Sequence, residues 1–160
     1  MAKVFLICGK VCSGKPAYSP RLCKDVDAHL LSVDEITLSD CKDQWNTDHD
    51  DYVKMVKQIL LDRSLQLIAE GKSIVFDWGF WSKREREAVK EFFKSRFIDF
   101  ELHYINVSDD LWNKRIESRN SLVLSKHSSA YFVDSGLKEK CLALFEEPCK
   151  DEVDLIIYND

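Results

Sequence analysis

The residues at positions 9–15 read GKVCSGK, which is the glycine and lysine spacing of a phosphate-binding loop. The two glycines let the backbone curl so that successive N–H groups face an anion, and Lys15 adds a positive charge. The segment follows an apolar run and precedes a predicted helix, as such a loop requires. An ordinary glycine-rich turn is the alternative, but this placement favours nucleotide binding. The residues predicted to bind the nucleotide are Gly9, Lys10, Val11, Cys12, Ser13, Gly14, Lys15, Pro16 and Ala17.

The residue after Lys15 departs from the pattern. The pattern continues with Ser or Thr, whose hydroxyl binds magnesium, whereas this chain has Pro16. Proline also has no N–H and pushes the preceding residue away from helical dihedrals. We therefore expect altered phosphate geometry at Lys15 as well as a lost metal ligand. A second proline, Pro20, is expected to kink the helix that follows.

Acidic residues follow two other apolar runs. Asp34 stands at the carboxyl end of the second predicted strand, where its carboxylate could accept a proton from an acceptor hydroxyl, and Glu35 is its nearest competitor. Asp77 ends the third apolar run and is predicted to contact substrate and Mg2+, with Trp78 beside it as a further substrate contact. The structural alternative for each aspartate is a helix cap or a turn, and that for Trp78 is packing in the core.

Two arginines lie four residues apart in the fourth predicted helix. Arg115 and Arg119 therefore project from one face, and could close over a bound triphosphate from a lid at residues 109–133. Transferring a phosphoryl group needs such positive charge. The alternative is a solvated basic face that pairs with nearby acids.

Composition limits the class of protein. A chain of 160 residues that is 45% hydrophobic can bury one core, so we expect one domain over residues 1–160. The net charge of -5 argues against extensive nucleic-acid binding through a basic field. The six cysteines lack metal-ligand spacing and are expected to be free thiols in a reducing, cytoplasmic compartment. The first apolar run is too short for a signal peptide or a membrane span.

Apolar runs alternate with helical patterns along the chain, which predicts an α/β fold with a parallel sheet. The second helix is predicted to end at Gly71, the third to begin at the capping box of Ser82, and the fourth to follow Ser108. The predicted strands cover residues 4–8, 30–33, 73–76, 102–107 and 153–158, and a fifth helix is predicted near 134–146. The segments without a regular prediction are 37–51, 78–81 and 120–133.

Taken together, these motifs resemble the small AAA-type P-loop ATP-binding, kinase-like proteins, a group near chloramphenicol phosphotransferase, zeta toxin and polynucleotide 5′-hydroxyl kinases. The resemblance implies a three-layer fold with a five-stranded parallel sheet in the order 2-3-1-4-5 and ATP with Mg2+ bound at residues 9–16. It also implies that Asp34 is the general base, that Asp77 is an acidic site contact, and that Arg115 and Arg119 are lid arginines. The segments that carry the resemblance are residues 6–15, 31–35, 73–77, 114–120 and 145–148.

Three functions fit these observations. The first is an ATP-dependent phosphotransferase acting on a hydroxyl of a small molecule or of a nucleic-acid end. The second is a catalytically impaired nucleotide-binding module, in which Pro16 has removed the magnesium ligand and the domain acts as a sensor or interaction unit. The third is an interaction domain without nucleotide affinity. The response of ATP binding to Mg2+ separates them.

Overall fold

The computed structural model describes residues 1–33, 47–124 and 135–159. Its strands are β1 (Val4–Cys8), β2 (Ala28–Ser32), β3 (Ser73–Gly79), β4 (Phe100–Val107) and β5 (Leu155–Asn159). Its helices are α1 (Lys15–Val26), α2 (Thr47–Ala69), α3 (Lys83–Lys94), α4 (Asp109–Leu124) and α5 (Ser135–Leu144), with a short 3-10 turn at Lys150–Glu152.

The strands form one parallel sheet in the order β2-β3-β1-β4-β5, which confirms the predicted order. Strand β1 lies at the centre, where Val4 is in register with Ile74 of β3 and with Phe100 of β4. All five residues of β1 are buried, because helices cover both faces of a parallel sheet. The continuous apolar run at the start of the chain is the sequence signature of this central position.

Different helices cover the two faces of the sheet. Leu6 lies in a core that also contains Leu60 of α2 and Phe93 of α3. Its neighbour Ile7 points to the opposite face and packs with Leu22 of α1. Successive side chains of a strand alternate between faces, so the sheet separates α1 from α2 and α3. The result is the predicted three-layer α/β architecture.

Local sequence signals correctly predicted two helix boundaries. Gly71 follows α2 with φ 80, and its N–H donates to the carbonyl of Ile68 at 2.9 Å, as in a left-handed C-terminal cap. Helix α3 begins after Ser82, whose Oγ accepts the N–H of Glu85 at 3.1 Å.

The third strand is longer than predicted. It continues through Trp78 and Gly79, which the sequence had suggested to be part of an aromatic turn. The Trp78 ring lies edge-on to Phe76, with 4.7 Å between ring centroids, and stacks on Phe80 at 5.4 Å. Because the rings of every second residue pack on the same face of the sheet, the strand continues past Phe76. Asp77 therefore lies inside β3 and not at its end.

Helical segments also extend into regions that the sequence left irregular. Residues 47–51 belong to α2 and residues 120–124 to α4. Acidic residues at 48, 50 and 51 favour a helix N-terminus, although their intrinsic helix propensity is low. Helix α5 ends at Leu144, before the predicted residue 146, because the N–H of Glu146 donates to the carbonyl of Trp81 at 2.7 Å.

Some predictions fall outside the described residues. Asp34 and Glu35 do so, and so does the part of the predicted lid at residues 125–133. Within the described ranges, every helix is too short or too polar to cross a membrane.

Candidate functional site

Residues 9–14 connect the central strand to α1, at the carboxyl edge of the sheet. Cys12 and Gly14 have φ values of 60 and 115, and the N–H of Ser13 donates to the carbonyl of Lys10 at 3.1 Å. The N–H of Gly9 donates to the carbonyl of Gly79 at 2.9 Å and ties the loop to the end of β3. Left-handed residues at such positions turn backbone N–H groups into an anion-binding concavity. We call residues 9–15 the phosphate loop.

Gly14 is the position in the phosphate loop that requires glycine most clearly. A Cβ atom there would lie 3.0 Å from Nη1 of Arg115 and 3.0 Å from Nδ2 of Asn159, and its φ of 115 is unfavourable for any L side chain. The loop is therefore packed closely against α4 and the end of β5.

The phosphate loop leads directly into the N-terminus of α1. Gly14 is the N-cap residue, and its carbonyl accepts the N–H groups of Ala17 and Tyr18 at 3.2 and 3.1 Å. Glycine has no side chain with which to cap the helix, so within the described residues this N-terminus, with its positive end of the helix dipole, is left to an anion. Pro16 contributes no N–H and removes one of these donors.

The predicted effect of Pro16 on the preceding residue is corrected by the structure. Lys15 is the first residue of α1, so the proline has not excluded it from the helix. Proline fits the first turn of a helix, where an N–H has no intrahelical partner in any case. The helix then runs to Val26 as one element, with Pro20 inside it.

The side chain of Lys15 lies across the phosphate loop. Its Nζ donates to the carbonyl of Gly9 at 3.1 Å and to that of Lys10 at 2.8 Å, and the residue is 6% exposed. The ammonium group is thus held at the loop by two carbonyls. A phosphate in the loop could take over these hydrogen bonds without moving the lysine away.

Ser13 supplies a further polar group at this position. It is fully buried, and within the described ranges its Oγ has no hydrogen-bond partner. A buried hydroxyl without a partner is unfavourable by about 1–3 kcal/mol, and this one packs against the backbone at Gly9, where a Cβ would lie only 2.5 Å from its Oγ. The fit to a nucleotide phosphate therefore rests on the backbone pattern and the helix terminus.

Helix α4 and strand β5 hold the loop from the other side. Nη1 of Arg115 donates to the carbonyl of Ser13 at 2.7 Å, and Nδ2 of Asn159 donates to the same carbonyl at 3.1 Å. Nε1 of Trp112 donates to the carbonyl of Val11 at 2.6 Å. The structure thus brings the predicted residue Arg115 to the loop, where it acts on the backbone. Sequence reasoning missed Trp112 and Asn159, because neither belongs to a motif.

Arg119 lies one helical turn beyond Arg115, close to the same loop. Burial raises the pKa of the Cys12 thiol, while the positive charges of Arg119, Lys15 and Arg115 act in the opposite direction. Both predicted arginines are therefore near enough to the phosphate loop to influence its electrostatics.

Asp77 and Trp78 point to opposite faces of the sheet. Asp77 is 7% exposed and lies beside Ile7, on the side of α1, where its charge helps to raise the pKa of Cys23 after the larger effect of burial. Trp78 is half-buried on the other side, with Nζ of Lys57 5.8 Å from its ring centroid. Because side chains alternate along a strand, the structure does not bring these two predicted substrate contacts together.

The predicted magnesium site receives little from the described residues. No group of three or more His, Cys, Asp or Glu side chains within them could hold a metal ion. Pro16 has no hydroxyl to offer, and Asp34 and Glu35 lie outside the described ranges. These residues do not form a magnesium site by themselves, and Asp77 as a metal ligand stays a prediction.

A buried ion pair supports the neighbouring end of β3. Arg86 of α3 is 1% exposed; its Nε donates to Glu152 at 2.6 Å, and its Nη1 donates to the carbonyls of Phe80 and Trp81 at 2.9 and 3.2 Å. Burial alone would raise the pKa of Glu152, but the hydrogen bond and charge of Arg86 hold it below its usual value. The sequence signal was available, since Arg86 shares a helix face with the apolar Val89.

A parallel sheet of this order, with a phosphate loop at the carboxyl end of its central strand, defines a P-loop kinase-like α/β protein. The family described as "AAA domain" matches residues 4–133, and the chain belongs to that family. None of the curated proteins compared with this chain matches it.

Solved structures share this fold at low sequence identity. The chain is similar to the APS kinase CysC of Mycobacterium tuberculosis in complex with AMPPNP and APS, at 13% identity and a TM-score of 0.65, over 99% of this chain and 89% of that one. Kti12 of Chaetomium thermophilum in complex with ADP-AlF3 is similar at 12% identity and a TM-score of 0.70, over 97% and 87%. A sugar kinase from Janibacter sp. HTCC2649 is similar at 14% identity and a TM-score of 0.66, over 99% of this chain and 86% of that one.

Proposed function

We propose that this protein binds ATP at its phosphate loop and transfers the γ-phosphoryl group to a hydroxyl of a small molecule or of a nucleic-acid end. The observation that carries the proposal is the phosphate loop itself, in which the Lys15 ammonium is held by two loop carbonyls and the N-terminus of α1 follows at Gly14 without a side-chain cap. The fold supports it as well, because similar structures contain AMPPNP or ADP-AlF3.

In this proposal, each positive group has a separate task. Lys15 transfers its hydrogen bonds from loop carbonyls to phosphate oxygens, and the first-turn N–H groups of α1 bind the same anion. Arg115 holds the loop backbone through Ser13, and Arg119 adds positive charge as the γ-phosphoryl group moves.

The acceptor side depends on acidic residues. Asp34 accepts the proton of the attacking hydroxyl, with Glu35 as its alternative. Asp77 contributes a substrate contact on the α1 side of the sheet, which Trp78 on the opposite face does not share. Magnesium, when bound, neutralises charge on the transferring phosphates. Asp77 is the described carboxylate that we assign to it, and Pro16 cannot assist.

A second function is favoured by Pro16 specifically. Without a hydroxyl at this position, the domain could bind nucleotide but turn it over poorly, and act as a sensor or an interaction unit. This alternative predicts ATP binding that hardly responds to Mg2+, whereas the kinase proposal predicts clearly stronger binding when Mg2+ is present.

Calorimetric titration of ATP, with and without Mg2+, tests both proposals. Lys15→Ala should weaken ATP binding by more than about tenfold, because hydrogen bonds to charged groups contribute about 1.5–3 kcal/mol. Lys24→Ala is the matched control, since Lys24 is exposed in the last turn of the same helix. Equal affinity in both variants would contradict nucleotide binding at the phosphate loop.

Pro16→Thr then tests whether the missing hydroxyl limits turnover, as the impaired-module alternative assumes. If Mg2+ binding is what limits turnover, the added hydroxyl should raise Mg2+-dependent ATP hydrolysis, measured as released phosphate. If the variant binds ATP but hydrolyses it no faster in Mg2+, the missing hydroxyl is not what limits the reaction.

A further inference from the structure

A cleft of about 420 Å³ opens on the sheet face opposite α1, between the end of β4 and the segment after α5. Its size lies within the roughly 300–1,000 Å³ of small-molecule sites. The side chains that matter to its chemistry are Lys10, Tyr104, Asn106, Asp109, Phe145 and Glu147. None of them is among the proposed catalytic residues, and Lys10 alone belongs to the phosphate loop.

The ammonium group of Lys10 is available to an occupant of this cleft. The side chain is 19% exposed, and within the described residues its Nζ makes no hydrogen bond. Its nearest charged partner is Oδ1 of Asp109 at 3.9 Å, and it lies 4.7 Å from the ring centroid of Trp112 and 5.8 Å from that of Phe145. A largely buried ammonium with free N–H donors favours a ligand that offers hydrogen-bond acceptors.

The rest of the lining excludes several classes of ligand. The carboxylates of Asp109 and Glu147 oppose an anion. A cation is opposed by Lys10, which already occupies the aromatic faces that would attract it. The rings of Tyr104 and Phe145 stack on each other, with centroids 6.2 Å apart and planes 28° apart, so a planar base cannot be sandwiched between them.

We propose that this cleft binds a neutral polyhydroxylated molecule of about monosaccharide size. Hydroxyl groups both accept and donate, so one ligand can accept from Lys10 and donate to Asp109 and Glu147. The side-chain amide of Asn106 can both accept from and donate to neighbouring hydroxyls. The site does not depend on phosphoryl transfer.

Titration without nucleotide tests the proposal. D-glucose, ribitol and myo-inositol are the neutral probes, and D-gluconate, choline and adenosine represent the anion, the cation and the base. Binding is measured by calorimetry or by the backbone amide chemical shifts of residues 104–109. We expect at least one neutral probe to bind saturably. The absence of saturation by every neutral probe, or tighter binding of gluconate, choline or adenosine, would overturn the proposal.

Matched variants locate the binding. Asp109→Asn should weaken binding of the neutral probe by up to about tenfold, because the amide oxygen of asparagine accepts a weaker hydrogen bond than a carboxylate does. Asp110→Asn is the control, since Asp110 occupies the same first turn of α4 outside the cleft. Asp109 is 88% exposed, so its substitution should leave the fold intact, and Asn106→Ala provides a second variant. Equal effects of Asp109→Asn and Asp110→Asn would refute this location.

Discussion

Replacing Gly14 with alanine is a sharp test of the phosphate loop, because the chain contains a matched glycine elsewhere. Gly14 and Gly71 both have positive φ, 115 and 80. A Cβ at Gly71 meets nothing within 4 Å, whereas a Cβ at Gly14 lies 3.0 Å from Arg115 and from Asn159. Gly71→Ala thus measures the backbone cost alone, and Gly14→Ala adds pressure on the two side chains that hold the carbonyl of Ser13.

The magnitudes follow from these contacts. A left-handed alanine destabilises the fold by about 1–2 kcal/mol, which corresponds to roughly 2–8 °C in melting temperature for a chain of this size. Both variants should show this shift in thermal unfolding, since flexible ends of Arg115 and Asn159 can move aside. ATP affinity should differ between them. We expect Gly14→Ala to bind ATP about tenfold or more weakly, because one or two hydrogen bonds that hold the loop are disturbed. Gly71→Ala should bind ATP as tightly as the unaltered protein.

The assay is thermal unfolding followed by circular dichroism, combined with ATP titration of the same samples. If Gly14→Ala and Gly71→Ala are destabilised alike and bind ATP equally well, the close packing at Gly14 has no role in nucleotide binding. If Gly14→Ala is not destabilised at all, the left-handed backbone assigned to this residue is wrong.

Three other predictions concern the surroundings of the loop. Arg86→Met should destabilise the protein by about 3–5 kcal/mol at pH 7, because it leaves the partly buried Glu152 without its partner. The pKa of Glu152 is lowered in the folded protein, so the ion pair stabilises the fold above the unfolded pKa of about 4.3, and this contribution is lost as the pH falls through the folded pKa. In urea titrations, the free energies of unfolding of variant and parent should therefore differ less at pH 3 than at pH 7. Arg115→Gln should weaken ATP binding by less than Lys15→Ala, because it removes one hydrogen bond to the loop backbone, and a larger loss measured by calorimetry would point to direct phosphate contact. Burial raises the pKa of Cys8 to about 12, so iodoacetamide at pH 8 should modify the exposed Cys149 and leave Cys8 unmodified. Peptide mapping by mass spectrometry measures both, and rapid modification of Cys8 in the native protein would contradict its burial.

The fold could be predicted from the sequence because its signals are local. The apolar run of β1, the cap at Gly71 and the capping serine Ser82 each depend on a few neighbouring residues. The end of β3 could not be predicted in this way. Trp78 and Gly79 extend the strand because of aromatic packing between residues that share a sheet face, and the sequence pattern did not distinguish this packing from an aromatic turn.

Only the part of the candidate site that is local in sequence could be predicted. The phosphate loop is one continuous segment, and its glycine and lysine spacing is informative. The residues that hold it are distant in sequence. Trp112 and Asn159 reach Val11 and Ser13 across separations of 101 and 146 residues, so no local pattern could reveal them. The site roles of Asp34 and Glu35 remain predictions.

The most direct measurement of the central claim is the shift of the backbone amide resonances of residues 9–17 when ATP is added to 15N-labelled protein. We predict saturable shifts centred on Gly14 and Lys15, because these residues join the phosphate loop to the N-terminus of α1, where an anion is expected to bind. Saturable ATP binding that leaves these amides unshifted and perturbs a different part of the chain would contradict the claim, as would the absence of any binding.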